Sequence, residues 1–357
     1  MSAAMDFTRR LRSVSDKDLP RLREHFLEPA EAFDPATSAD HLFFPLEMTW
    51  YYGEPIWHEL SEPQRLLLNR LSFCQSYYST AVAEAATNVL NYEAALRTLI
   101  DGDPEVALYM AREVVEETTH IEAFLLVIRK LLGHHGIRLD QLRAANASLG
   151  MACWYAIAHS LLGWLRRDLD YYYFTRFALN VNQKTVERCA IDEPRMHPLV
   201  RTLLKNHAID EARHMQMSRA TGIAALARMR SPWAKRIACW AFAHFAASVF
   251  IGRHRRDGRL TRETRIRTLE LCGVPRPRAE RAYAEWRGRV NQPVDPPLVH
   301  AGRKYYWKQI VAYIDALDVS ERTRASMKRI VRRAYHDAAA PEHVDGVHAL
   351  EFDELRR

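Results

Sequence analysis

Two Glu-x-x-His tetrads, Glu117-Thr-Thr-His120 and Glu211-Ala-Arg-His214, stand in the middle of two long helix-forming stretches, 94 positions apart. Residues three apart in an α-helix share a face, so each tetrad aims one carboxylate and one imidazole at a single point. His207 precedes Glu211 by four residues, which places His207, Glu211 and His214 on one stripe at i, i+4 and i+7. With 16 His in the chain, about one such tetrad arises by chance. Placement is therefore the stronger argument: each tetrad-bearing stretch follows another candidate helix that could fold back along it. Two ligand-bearing helical hairpins are what a four-helix metal bundle requires.

The bulk of the sequence agrees with an all-α chain. Only 13 Gly occur in 357 residues, alternating β-branched runs are few, and Ala, Leu and Arg are abundant. A 48% apolar and 27% charged composition is that of a globular protein and excludes a disordered one. Five widely spaced cysteines (Cys74, Cys153, Cys189, Cys239, Cys272) contain no Cys-x-x-Cys and read as reduced, structural thiols of a cytoplasmic protein. The first residues lack a basic-then-apolar signal pattern. The apolar run from Ile237 to Gly252 falls short of the roughly 20 residues a membrane span needs, and it reads as a buried helix. The formal net charge of +7 suits an anionic ligand or partner.

Turn signals divide the chain. Residues 1–40 are a basic lead-in in which Pro20, Pro29 and Pro35 limit long helix, and His41 to Trp57 reads as an irregular aromatic strap over the bundle. Ser61-Glu-Pro-Gln opens a first helix that runs to about Ile100 and ends at Asp101-Gly-Asp-Pro104. A second helix runs from Pro104 to about Leu132. A third occupies much of Ala145 to Ile191, with a break or bend between Gly163 and Tyr173. A fourth runs from Pro198 to about Met229. The expected organisation is a lead-in (1–40), a ferritin-like bundle with a di-metal centre (41–252) and a C-terminal helical extension (253–357). In that extension Tyr305, Trp307, Ile310, Val311, Ile314 and Leu317 form an apolar stripe.

Depth selects the remaining ligands. Glu84 lies 17 residues before Asp101, and Glu117 lies 13 after Pro104. At ~1.5 Å per residue both sit some 20–26 Å from the same end of their hairpin and can face one another. For the second hairpin, Glu187 is only five residues before Asp192, more than ~10 Å too shallow to meet Glu211. Asn180 stands at the right depth, and its amide oxygen is a weaker ligand than a carboxylate. Either the chain has lost a carboxylate here, with Asn180 at the seventh position or that position vacant, or an irregular third helix brings Glu187 inward to fill it. Asp210 reads equally as a hydrogen-bond partner of a ligating imidazole or as a surface carboxylate. Tyr77, on the face of Glu84, and Tyr171 to Phe174 read as packing.

Over residues 41–220 the chain resembles the di-iron aminoarene N-oxygenases of the p-aminobenzoate N-oxygenase type. The resemblance rests on Phe44-Pro-Leu-Glu47, Glu54-Pro-Ile-Trp, Glu62-Pro-Gln-Arg65, Val82-Ala-Glu84 and the tetrads. It is most specific at His207-Ala-Ile-Asp-Glu-Ala-Arg-His214, because that family carries an extra histidine one turn before its last Glu-x-x-His. The resemblance implies Glu84, Glu117, His120, His207, Glu211 and His214 as iron ligands, and it aligns Asn180 with the family's helix-3 glutamate.

Mixed carboxylate and imidazole donors without cysteine suit two iron ions, or manganese, rather than a structural zinc. The expected function is an O2-dependent oxygenase acting on the nitrogen of a small amine, served by an electron donor and built as a homodimer. The alternatives are a carbon hydroxylase or desaturase, and a non-catalytic metal-binding bundle. An arginine-rich stretch over residues 253–289, including Arg253, Arg255 and Arg256, reads as a solvated face or as a dock for an acidic carrier protein. No nucleic-acid-binding motif accompanies it.

Overall fold

The computed structural model describes residues 22–38, 40–100, 102, 104–142, 168–252, 259–289 and 297–338. The long elements are α1 (Glu62–Ile100), α2 (Pro104–His134), α3 (Asp168–Ile191), α4 (Pro198–Arg228), α5 (Pro232–Gly252), α6 (Arg259–Leu271), α7 (Arg276–Arg289), α8 (Pro297–Asp315) and α9 (Glu321–Ala338). Among the described residues there is no strand, only one isolated bridge between Leu42 and Met196. The boundaries expected for the four long helices fall close to these. The start of the third and its expected break lie partly in residues 143–167, outside the described residues, as do Arg253, Arg255, Arg256 and the tail beyond 338.

Helix α1 starts where its sequence dictates. The Ser61 backbone N–H donates to Gln64 Oε1 at 2.9 Å, half of a capping box, and Pro63 sits in the first turn, where its missing N–H costs nothing. Gln64 also donates through Nε2 to the Cys272 carbonyl at 2.9 Å, joining the start of α1 to the end of α6. The turn after α1 uses Gly102 at φ +84°, a left-handed conformation that favours glycine. Helix α1 packs along α2 and α3 along α4, forming the two expected hairpins, while α5 packs on α9 and α8 on α3.

The strap over residues 41–57 is irregular, as expected, apart from short helical turns at Leu46–Met48 and Pro55–Glu59. Its polar backbone is satisfied by one buried amide. Asn69 Oδ1 accepts from Phe43 N at 2.8 Å and Phe44 N at 3.3 Å, while Asn69 Nδ2 donates to the Phe44 carbonyl and Thr49 Oγ1. At its other end Leu42 N donates to the Arg195 carbonyl and His197 N to the Leu42 carbonyl, fastening the strap to the α3–α4 turn.

One apolar cluster takes Phe26, Ala30 and Phe33 from the lead-in, Phe43, Phe73 and Phe124 from the strap and first hairpin, and Ile266, Leu269 and Tyr283 from α6 and α7. A second cluster joins Phe174 and Phe177 of α3 to Phe242 of α5 and to Ile310, Tyr313, Ile314 and Leu317 of α8. Gly222 is needed where α4 meets α8: a Cβ there would lie 2.2 Å from Tyr313 Oη and 2.9 Å from the Tyr173 carbonyl oxygen.

Many arginines of the extension make internal pairs. Arg276 bonds Glu263 at 2.9 Å, Arg278 reaches Glu59 at 2.6 Å, and Arg265 lies 3.7 Å from the Trp50 ring centroid and 4.7 Å from that of Trp286. Cys74, Cys239 and Cys272 are buried free thiols. No described helix is long and apolar enough to cross a membrane.

Candidate metal centre

The two tetrads meet between the hairpins. Glu84 of α1, Glu117 and His120 of α2 and His207 of α4 bring one donor atom each within 4.8 Å of one another. Glu113, Glu117 and His214 form a second such group, so Glu117 belongs to both. Glu211 lies beside them, its Oε1 3.6 Å from His214 Nδ1 and 3.8 Å from His207 Nε2. All these side chains are buried. The rings interlock: His120 and His207 meet edge to face with centroids 4.4 Å apart, Phe124 stands edge-on to His207 at 5.2 Å, and Phe26 covers His120 at 4.5 Å.

Each imidazole has one nitrogen held by an outer carboxylate while its other nitrogen faces the cluster. His120 Nε2 is 2.9 Å from Asp210 Oδ2, leaving Nδ1 near Glu117 at 3.3 Å. His214 Nε2 is 2.9 Å from Glu116 Oε2, leaving Nδ1 between Glu117 and Glu211. His207 Nδ1 is paired with Glu187, leaving Nε2 3.2 Å from Glu84 Oε1. A carboxylate behind an imidazole fixes its tautomer and ring orientation and raises its basicity, an arrangement common behind metal-binding histidines.

Glu187 corrects the depth argument. It is fully buried, touches His207, and accepts from Tyr77 Oη at 3.3 Å. Its partner is His207 rather than Glu211: His207 is one turn closer to the hairpin turn, within reach of the Glu187 side chain. Asn180 is half-buried and makes no hydrogen bond to the cluster among the described residues. Asp210 is buried against His120, so its surface reading fails. Tyr77 does pack, against Phe73 and Phe124, and also bonds Glu187.

Glu113 and Glu116 escaped the sequence reading. Glu113 is four residues before Glu117 and so on its face, which was a usable signal. The pairing of Glu116 with His214 depends on the register of α2 against α4, which leaves no local trace.

Burial and neighbouring charges pull the groups of the cluster in opposite directions. Burial raises the Glu84 carboxyl, with Glu117 adding to it, and pushes Glu211 up to about 7. Burial also works against ionised Glu117, but His214 and His120 outweigh it and hold that carboxyl well below its usual range. Burial pulls His207 down, yet Glu187 and Glu84 overcome it and leave the ring well above an ordinary histidine.

Several buried atoms lack partners. Glu84 Oε2, Glu113 Oε2 and His214 Nδ1 make no aligned hydrogen bond, although His214 Nδ1 comes within 3.1 Å of Glu117 Oε1. Unpaired donors of this kind, nitrogen and oxygen with no sulfur, fit a pair of divalent cations that share Glu117.

Residues 25–255 match a family model described as P-aminobenzoate N-oxygenase AurF. No curated protein and no solved structure matches.

Proposed function

The chain belongs to the p-aminobenzoate N-oxygenase family of ferritin-like di-iron oxygenases, and on that premise we propose that it uses O2 to oxidise the nitrogen of a small amine. The observation that carries the reading is the convergence of Glu84, Glu117, His120 and His207, from three helices, on one buried point. One iron would be held by Glu84, His120 and His207, the other by Glu211 and His214, with Glu117 shared. Bound as a reduced pair, the irons supply the electrons and the coordination positions for O2 chemistry.

The chain's own residues set the conditions for that chemistry. Asp210, Glu116 and Glu187 each accept the outer N–H of one imidazole, which leaves His120 Nδ1, His214 Nδ1 and His207 Nε2 as the nitrogens that would hold a metal. Because a ligating imidazole nitrogen carries no proton, binding of a metal there would release protons from these rings. Phe26, Phe124 and Tyr77 exclude water from one side of the centre. Asp210, Glu116 and the partly buried Arg213 form an ion network between α2 and α4, with Arg213 3.1 Å from Glu116. An electron donor and a homodimeric assembly accompany this reading as proposals from the sequence, as does an intracellular setting.

The test is anaerobic loading with ferrous iron, reduction, and exposure to O2 with a panel of aromatic and aliphatic amines, read by mass spectrometry with 18O2. Label in a hydroxylamine or nitro product supports the proposal. Label on carbon alone moves the assignment to a hydroxylase, and iron uptake without O2 consumption leaves a binding bundle.

A further inference from the structure

Glu113 is a carboxylate divided between two tasks. Its Oε1 accepts from Asn91 Nδ2 of α1 at 3.1 Å and is paired with Arg176 of α3, while its Oε2 has no hydrogen-bond partner. The side chain is 1% exposed, and a donor atom of Glu113 lies within 4.8 Å of Glu117 and His214. Arg176 is equally buried, in contact with Met110 Sδ at 3.4 Å, and the Tyr172 hydroxyl donates to Asn91 Oδ1 at 2.6 Å. Three helices therefore cooperate to hold one oxygen of Glu113 and leave the other unsatisfied, on a carboxylate that belongs to a group able to bind metal. An isolated buried ion pair would more economically satisfy both oxygens.

On α3, Arg176 and Asn180 are four residues apart and Glu187 follows Asn180 by seven, so all three share a face. That face presents no carboxylate at Asn180, and Glu187 is engaged with His207. An acidic donor for the second metal position would therefore come from another helix.

We infer that Glu113 supplies it: Glu113 is a ligand of the second metal, together with Glu117, Glu211 and His214, and Arg176 is the positioning residue that fixes its carboxylate. This rests on the dinuclear reading above and changes its ligand set. The second metal would thus take two carboxylates from one helix, at i and i+4. Because Arg176 offsets the charge of Glu113, this position carries less net negative charge than one with an unpaired carboxylate, and it should hold divalent ions more weakly than the first.

The experiment uses Mn2+ alone, titrated anaerobically into the full-length protein and read by equilibrium binding and by electron paramagnetic resonance. Wild-type protein should take up about two Mn2+ per chain with a spin-coupled spectrum. Glu113→Gln keeps the shape and the Asn91 contact. It should retain the tight site and lose the weaker one, giving the spectrum of an isolated ion. Arg176→Lys should weaken only the second site, by about 10- to 100-fold. Adding Asn180→Glu to Glu113→Gln should restore a second, coupled ion.

Two coupled ions of unchanged affinity in Glu113→Gln would overturn the assignment of Glu113 alone. Uptake of fewer than two ions by wild-type protein overturns the dinuclear reading beneath it. If Glu113→Gln does not fold, Glu113→Asp decides: selective loss of the weaker site supports the assignment, and unchanged binding sinks it.

Discussion

Asp210 Oδ2 lies 2.9 Å from His120 Nε2, although Asp210 is the immediate neighbour of Glu211, which turns instead towards His207 and His214. Consecutive residues on a helix point about 100° apart, so one short segment of α4 both lines the centre and supports the ligand contributed by α2. Asp210→Asn preserves the shape while removing the charge that orients His120. It should weaken Mn2+ binding at the position built on Glu84 and His120 by about 10- to 100-fold. The thermal midpoint of the metal-free protein serves as the control for folding.

Glu187→Gln should have a comparable effect on the same position, because it removes the acceptor behind His207 Nδ1. Asn180→Ala should leave both metal affinities within about twofold, far short of the 10- to 100-fold loss expected when a supporting partner is removed. Metal titration of the two variants side by side separates the candidates for the α3 contribution. A loss confined to Asn180→Ala would reverse the assignment.

The contrast shows what a sequence can hold. The helices, their turns, both tetrads, Glu84 and the His207 stripe follow from periodicity of 3.6 and from Gly, Pro and Asp at boundaries, all local properties. Glu187 was misplaced because depth along a hairpin is a one-dimensional measure. Whether two side chains meet also depends on helix stagger and on which turn of the partner is faced. Glu116 and Arg176 were invisible for a related reason: a buried charge is legible only once its partner on another helix is known.

Gly222→Ala should destabilise the fold by about 1–3 kcal/mol, the usual cost of overpacking. The added methyl would meet both Tyr313 Oη and the Tyr173 carbonyl. Tyr313→Phe should relieve only part of this, since the carbonyl contact is backbone and cannot swing away. Urea unfolding of the single and double variants measures the coupling.

Acid should loosen the strap end of the molecule. Burial, with His41 and Arg70 adding to it, brings His197 down to about 4, and its ring packs against Phe33 and Phe43. His135 is likewise lowered to about 4 by burial and Arg70. A histidine whose folded value lies below its unfolded value of about 6.5 binds more protons when unfolded. Stability from these two rings is therefore complete above about pH 6.5 and is lost progressively as the pH falls towards 4. His197→Gln should flatten the thermal midpoint between pH 7 and 4 relative to wild type. An unchanged slope would exclude His197 as a contributor.

The strap is fastened to α1 through Asn69 and to the α3–α4 turn through Leu42. The hairpin with Glu84 and Glu117 is thus laced to the hairpin with His207 and His214 by a segment that contains no candidate ligand. Separating the hairpins at this end would break the hydrogen bonds of the Asn69 amide and of the Leu42 backbone. A segment that supplies no donor thus acts as a clasp between the two halves that do.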